Sequence, residues 1–151
     1  MIKLLSKEEI IQNWTVLKRL LRYCREAGSN VSLRDSYYEN KLKGLLNYLE
    51  NGKTFFFVME ENKDIVGFLW ACEIERDIEN VYHILYFAVF EEYQGKGYGK
   101  LLIEAAQEQA REKRIRKIEL NVNASNDRAI NFYRRNLFYD DHITMVKELD
   151  F

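Results

Sequence analysis

Proline is absent from the chain, so no proline-rich linker divides it. Cysteine is nearly absent. Cys24 and Cys72 are too few for a disulfide scaffold and read as reduced, partly buried thiols of a cytoplasmic protein. No sign of charge dominates, since 23 Lys and Arg meet 24 Asp and Glu for a formal net of -1. A general nucleic-acid partner, which needs a basic excess, is therefore not expected. Long apolar runs are also missing. The longest, Ile65–Cys72 and Ile84–Phe90, are strand-sized and far short of the roughly 18 residues of a membrane span. Met1 to Ile11 alternates charge with Leu and Ile and shows no apolar secretion-signal core. The expectation is a cytoplasmic protein without a membrane partner.

What is present suits one packed domain spanning residues 1–151. Apolar residues make up 47% and aromatics 14% of the chain, enough for a substantial core. Ser6-Lys7-Glu8-Glu9 has capping-box spacing, and Ile10, Trp14, Leu17, Leu20 and Leu21 follow at helical intervals. These predict one helix from about Lys7 to about Glu26, stopped at Gly28. Ser36-Tyr37-Tyr38-Glu39 repeats the cap signature ahead of Leu42, Leu45, Leu46 and Leu49, a second helix ending near Gly52. From Thr54 the period changes to two. Thr54–Glu60 and Ile65–Glu75 read as a hairpin, and Val81–Phe90 as a mid-sheet strand covered on both faces. A helix follows Gly99, with a buried stripe of Leu101, Leu102, Ala105, Ala106, Gln109 and Ala110. Lys117–Asn123 is a strand, Asn126–Arg135 a short helix, and Ile143–Leu149 a closing strand. The order α-α-β-β-β-α-β-α-β predicts an α/β fold with a mixed sheet.

Gln94-Gly95-Lys96-Gly97-Tyr98-Gly99 lies between a buried strand and a helix. Glycines there let backbone N–H groups converge, and the helix start adds unsatisfied donors and partial positive charge. Together they suit a phosphate group, with Lys96 and Lys100 adding charge. The dinucleotide fingerprint fails because position 100 is Lys100, and the P-loop pattern fails at Gln94 and Leu101.

Gln94-x-x-Gly97-x-Gly99 after a strand ending Ala88-Val89 resembles the acyl-CoA loop of the GNAT superfamily of N-acetyltransferases. Asn126-Asp127-Arg128-Ala129-Ile130-Asn131-Phe132-Tyr133, followed by Phe138, resembles that superfamily's second motif. The resemblance extends over roughly Thr54 to Leu149. Two departures stand out: Glu91 where the superfamily often has proline, and Leu137 where it usually has glycine.

The resemblance implies a single-domain GNAT-like fold. Its mixed central sheet would be splayed between the fourth and fifth family strands and flanked by helices. It implies acetyl-CoA as acyl donor and direct transfer to a primary amine of unknown identity. The backbone of Phe87, Ala88 and Val89 would bond the pantetheine arm. Gln94, Gly95, Lys96, Gly97, Tyr98, Gly99 and Lys100 would hold the pyrophosphate. Asn126 would reach the arm, and Phe132 would pack beside it. Tyr133 falls where the superfamily's general acid falls. His83, on the central strand, is a candidate general base because a histidine titrates near neutral pH. Glu119, Glu73 and Glu75 are further base candidates. A non-catalytic CoA-binding sensor and transfer of a longer acyl group are alternatives.

No Cys/His cluster has zinc spacing and the two histidines lie far apart, so no metal is expected. The acceptor pocket is expected between the first two helices, the Gly28–Asp35 loop and the Asp77–Asn80 turn, with Glu73, Glu75, Asp77 and Glu79 making it acidic. A homodimer could form through exposed aromatics at Tyr37 and Tyr38 or through the final strand.

Overall fold

A computed structural model of the protein describes residues 1–27 and 29–151, so the expected helix stop at Gly28 lies outside the described residues. The chain divides into two compact units, Met1–Asn121 and Val122–Phe151.

The first unit is built on a five-stranded sheet in the order β1 (Ile2–Leu4), β2 (Thr54–Glu61), β3 (Asp64–Glu75), β4 (Asn80–Val89) and β5 (Ile118–Leu120). The first four strands pair antiparallel, and β5 runs parallel to β4. The β2–β3 hairpin turns through Asn62 and Lys63, both at positive φ, as a tight two-residue connection requires. Strand side chains alternate between two helical layers. Phe56, Val58, Phe68 and Trp70 join a core with α1 (Lys7–Gln12), α2 (Trp14–Glu26) and α3 (Asp35–Leu49). On the other face Phe55 stacks on Tyr82, whose hydroxyl donates to Gln109 Oε1 of α4 (Tyr98–Glu112) at 2.7 Å.

Several expectations change at this level. The first helix is two helices. Its capping box forms as expected, but Asn13 leaves helical geometry (φ -107, ψ 18) and its side chain donates to Glu9 O at 2.8 Å. That local bond competes with the helical ladder. The Ser36 cap does not form: Asp35 already lies in the first turn of α3, and Glu39 instead accepts from Trp14 Nε1 and Lys18 Nζ. Tyr38 is fully buried, which removes it as a docking aromatic. Burial and its bond to Glu26 push its phenol up to about 12. On α4 the buried residues are Leu102, Ile103, Ala106 and Ala110, whereas Leu101 turns outward. β5 is only three residues long. β1 was not anticipated; it adds Ile2–Leu4 to the open edge of β2, and three alternating residues are too few to read as a period.

The second unit contains α5 (Asp127–Arg135), capped by Asn126, whose Oδ1 accepts from Ala129 N at 3.2 Å. The closing strand expected over Ile143–Leu149 does not form. Ile143, Met145, Val146 and Leu149 are exposed, and a strand-like pattern needs a paired edge to become a strand. α5 ends in a Schellman arrangement, with Leu137 N bonded to Arg134 O and Phe138 N to Tyr133 O, both at 3.0 Å. The residue at its left-handed position is Leu137, φ 67, where the superfamily usually places glycine. A Cβ in that conformation costs about 1–2 kcal/mol. Leu137→Gly, which pays back part of this in backbone entropy, is therefore expected to stabilise α5 by up to about 1 kcal/mol. Urea unfolding followed by α5 amide exchange measures it, and a loss of stability would show that the Leu137 side chain matters more than its φ.

Candidate functional site

β4 pairs with β5 over only part of its length. Its pairing with β5 is confined to Tyr82↔Ile118, His83↔Glu119 and Ile84↔Leu120, while pairing with β3 continues to Val89. The strands therefore part after Ile84. A bulge at this point, where Ala71 pairs with Ile84 and Trp70 with Tyr86, leaves Leu85 as the extra residue and bends the strand. Phe90 N donates to Val66 O of β3 at 3.0 Å, so strand alternation turns the N–H groups of Phe87 and Val89 away from β3, toward the side on which β5 pairs earlier in the strand. The carbonyls there are engaged by side chains: Gln94 Nε2 donates to Val89 O at 2.8 Å, and Cys24 Sγ to Phe87 O at 3.5 Å. β4 is seated by the close approach of Gly67, where an added Cβ would stand 3.1 Å from Ala88 O.

Past β4 a 3-10 turn, Glu91–Tyr93, leads into the glycine loop. Gly95 (φ 82) and Gly97 (φ 84) are both left-handed, and a Cβ on either would meet nothing within 4 Å. Gly97 is the N-cap of α4 and no side chain caps that helix. Its first-turn N–H groups therefore keep their donor capacity beside a concave backbone, a donor set that fits a diphosphate. Gln94 also donates to Tyr23 Oη at 3.1 Å, tying the loop to α2.

The loop lysines are less available than the sequence suggested. Lys96 Nζ lies 2.9 Å from Glu61 Oε1, which also accepts from Tyr98 Oη. The Tyr98 bond, then the Lys96 bond, hold the Glu61 carboxyl below its usual range, so it is ionised at neutral pH. Lys100 is exposed, 3.9 Å from Glu104. Much of the loop's positive potential thus comes from α4 itself. In the sequence Glu61 reads as the first residue of a hairpin turn, 35 residues from Lys96, and nothing local links the two.

On the α3 face of the sheet, Cys72, His83 and Glu119 occupy neighbouring positions on β3, β4 and β5. Among the described residues the buried His83 Nδ1 has no hydrogen-bond partner; it lies 3.6 Å from Glu119 Oε2. Arg76 donates to Glu119 Oε1 through Nε (3.2 Å) and Nη2 (2.6 Å). Burial pushes the Glu119 carboxyl up, but the Arg76 bond and charge and the His83 contact outweigh it and hold it below the usual range. Cys72 moves the other way: burial, then the charge of Glu119, push its thiol up, so it stays protonated and weakly nucleophilic.

Beside this row is a cavity of about 560 Å³. Leu45 and Tyr48 of α3, Trp70 and Cys72 of β3, and Leu85 and Tyr86 of β4 form much of its wall. Burial pushes the Tyr86 phenol up to about 12, so Tyr86 is no base at neutral pH. Leu85 and Tyr86 run directly into Phe87–Val89, the stretch of β4 past its last pair with β5. Of the segments expected to build an acceptor pocket, α3 contributes to the wall of this cavity, whereas the described lining includes no residue of α1, α2 or the Asp77–Asn80 turn. Its charged lining is Lys41, Lys53 and Glu73 rather than the expected acidic set. Glu75 is turned to Lys53 Nζ at 2.9 Å.

In the second unit, Phe132 and Tyr133 are half-buried on α5 with ring centroids 5.6 Å apart, and Tyr133 meets Phe138 edge-on at 5.6 Å. The side-chain oxygen of Asn126 serves as helix cap.

The site thus lies on a mixed α/β sheet whose parallel pair, β4 and β5, parts ahead of a glycine loop and a helix start. The acetyltransferase (GNAT) family model matches residues 14–137, and the chain belongs to this family. An uncharacterized N-acetyltransferase of Bacillus subtilis is 37% identical over 87 residues, covering 58% of this chain and 56% of that protein. One of Methanocaldococcus jannaschii is 33% identical over 130 residues, covering 76% and 56%. The chain thus spans little more than half the length of these two relatives. Among solved structures, an aminoglycoside acetyltransferase from an uncultured soil metagenomic sample, in complex with sisomicin, matches with TM-score 0.76 and 25% identity over 99% of this chain and 96% of that one. A ribosomal-protein-alanine N-acetyltransferase from Brucella melitensis shares the fold at TM-score 0.74 and 18% identity, covering 99% of each chain. Among the described residues no group could hold a metal ion, and no helix is long and apolar enough to cross a membrane.

Proposed function

We propose that the chain is an N-acetyltransferase, working as one domain over residues 1–151, that acetylates a primary amine from acetyl-CoA. The observation that carries this reading is the parting of β4 and β5 after Ile84, immediately before an uncapped helix start with two left-handed glycines. Bound acetyl-CoA supplies an activated acyl thioester. Backbone N–H groups of Gln94 to Lys100 hold its diphosphate, and the main chain of Phe87, Ala88 and Val89 aligns its amide-bearing arm like an added strand. The resemblance to the family's second motif gives Asn126 and Phe132 a part in binding the same cofactor. The N–H of Val89 is a fixed donor for developing negative charge on oxygen. His83 takes the proton of the acceptor ammonium through a ring nitrogen, and Tyr133 Oη holds a proton for the departing thiolate.

The cavity beside Tyr86 is the acceptor site in this reading. Two lysines against one glutamate, on mostly apolar walls, disfavour a polycation such as an aminoglycoside. A peptide N-terminus or a small amine on a neutral or anionic body suits it better.

Calorimetry with CoA and free-thiol release from acetyl-CoA test the proposal on four amines: sisomicin, spermidine, tyramine and an alanine-led peptide. Saturable CoA binding is expected, with turnover of tyramine or the peptide at least about tenfold faster than of sisomicin, the scale of one misplaced charge near a surface. No binding at millimolar CoA would end the reading. Binding without turnover of any amine would replace the enzyme with a sensor.

A further inference from the structure

Arg76 and Glu119 are assigned no task by the glycine loop or by the family's second motif, yet Arg76 holds Glu119 and Glu119 faces the half-buried His83. We infer that Arg76 and Glu119 are positioning residues that lock His83 in the tautomer protonated at Nδ1, leaving Nε2 as the proton-accepting nitrogen. The inference rests on the proposed role of His83 as base.

The geometry divides the two oxygens of Glu119 between two neighbours. Oε1 accepts twice from Arg76, at 3.2 and 2.6 Å, and Oε2 faces His83 Nδ1 at 3.6 Å. An ionised carboxylate has only lone pairs and negative charge to offer, so it favours the proton on the nitrogen that faces it. Nδ1 is a buried atom with no hydrogen-bond partner among the described residues, so the Glu119 carboxylate is the charge it faces. A neutral imidazole holds one proton, and placing it on Nδ1 leaves a lone pair on Nε2. The fold makes this arrangement rigid. His83 and Glu119 are direct partners in the β4–β5 register, on the three paired residues just before the strands part. Arg76 is held by the turn that joins β3 to β4, where its N–H donates to Glu79 O at 3.1 Å. Cys72, the cross-strand neighbour of His83 on β3, stays a neutral thiol and does not compete for the proton.

A carboxylate that fixes the tautomer of a catalytic histidine matters because the wrong tautomer presents N–H, not a lone pair, to the group that must lose its proton. The base would then fail although its ring stayed in place.

Nitrogen-15 NMR of the full chain reads the tautomer directly and needs neither donor nor acceptor. The chain has two histidines, so His142→Gln assigns the signals. At a pH where the ring is neutral, His83 is expected in the Nδ1–H form. Glu119→Leu should convert it to the Nε2–H form that free imidazole side chains prefer. Glu119→Gln, which keeps an acceptor oxygen, should retain much of the Nδ1–H population. Glu119 is partly exposed, so both variants should fold; should the leucine variant not, Arg76→Gln is expected to weaken the preference instead. In thiol release with the fastest amine of the panel, Glu119→Leu is expected to lower kcat at least about tenfold, the lower range of general-base effects, with KM within about twofold.

An Nε2–H tautomer in the unmodified protein, or one unmoved by Glu119→Leu, would overturn the inference. So would unchanged turnover in His83→Gln, which would leave the acetyltransferase reading intact. Failure to bind CoA would end that reading without altering the NMR result.

Discussion

Gly97→Asp is expected to weaken CoA binding about a hundredfold. Two unit charges about 4 Å apart repel by about 4 kcal/mol at an effective dielectric of about 20, and solvent and salt remove part of that at an open loop. The site of the change matters as much as its charge. Gly97 is the N-cap of α4 at φ 84, and a side chain there would project into space with nothing within 4 Å. The new carboxylate would lie where the converging N–H groups expect an anion, and could itself cap the helix in its place. Gly97→Asn separates the causes, because asparagine has the same shape and tolerates the left-handed region equally well. Its affinity should stay within about tenfold of the unmodified chain, the scale of a lost neutral contact. Calorimetry on folded protein decides. Equal losses would assign the effect to shape, and undiminished affinity in the aspartate variant would remove the loop from the binding site.

Tyr133→Phe is expected to lower kcat about a hundredfold while changing CoA affinity less than about threefold, since a positioned proton donor contributes roughly 10² to 10⁴ in rate. The ring would remain. Its edge contacts with Phe132 and Phe138 use the aromatic face, which phenylalanine preserves, so α5 should stay folded. A small drop in kcat, with acyl transfer shown to be rate-limiting, would assign the proton to water or another group. A large drop in affinity would make Tyr133 a binding residue.

Legibility in the sequence followed the range of the interaction. The glycine loop could be read because everything it needs lies within seven residues: glycines for left-handed backbone and a helix to supply donors. The capping box at Ser6 and the hairpin turn at Asn62-Lys63 are equally local. The failures are of another kind. Asn13 interrupts a helix whose apolar spacing runs on unbroken: its side chain and its own N–H both take the Glu9 carbonyl, and its backbone leaves helical geometry. Ile143–Leu149 has the composition of a strand but no partner edge, and pairing is what makes a strand. Glu61 beside Lys96 and Glu119 beside His83 were silent because each pair is joined only by the sheet.

The sequence by itself determined the class of elements, the change of period at Thr54, the loop before α4 and the family to which its two motifs belong. Those features depend on backbone geometry and on neighbours within one or two turns. Only the tertiary structure decided that β4 and β5 share three residue pairs before parting, that Glu61 takes up the charge of Lys96, and that Arg76, Glu119 and His83 form one chain. Each depends on strand register, and register is set by packing across the whole sheet, which no local stretch of residues encodes.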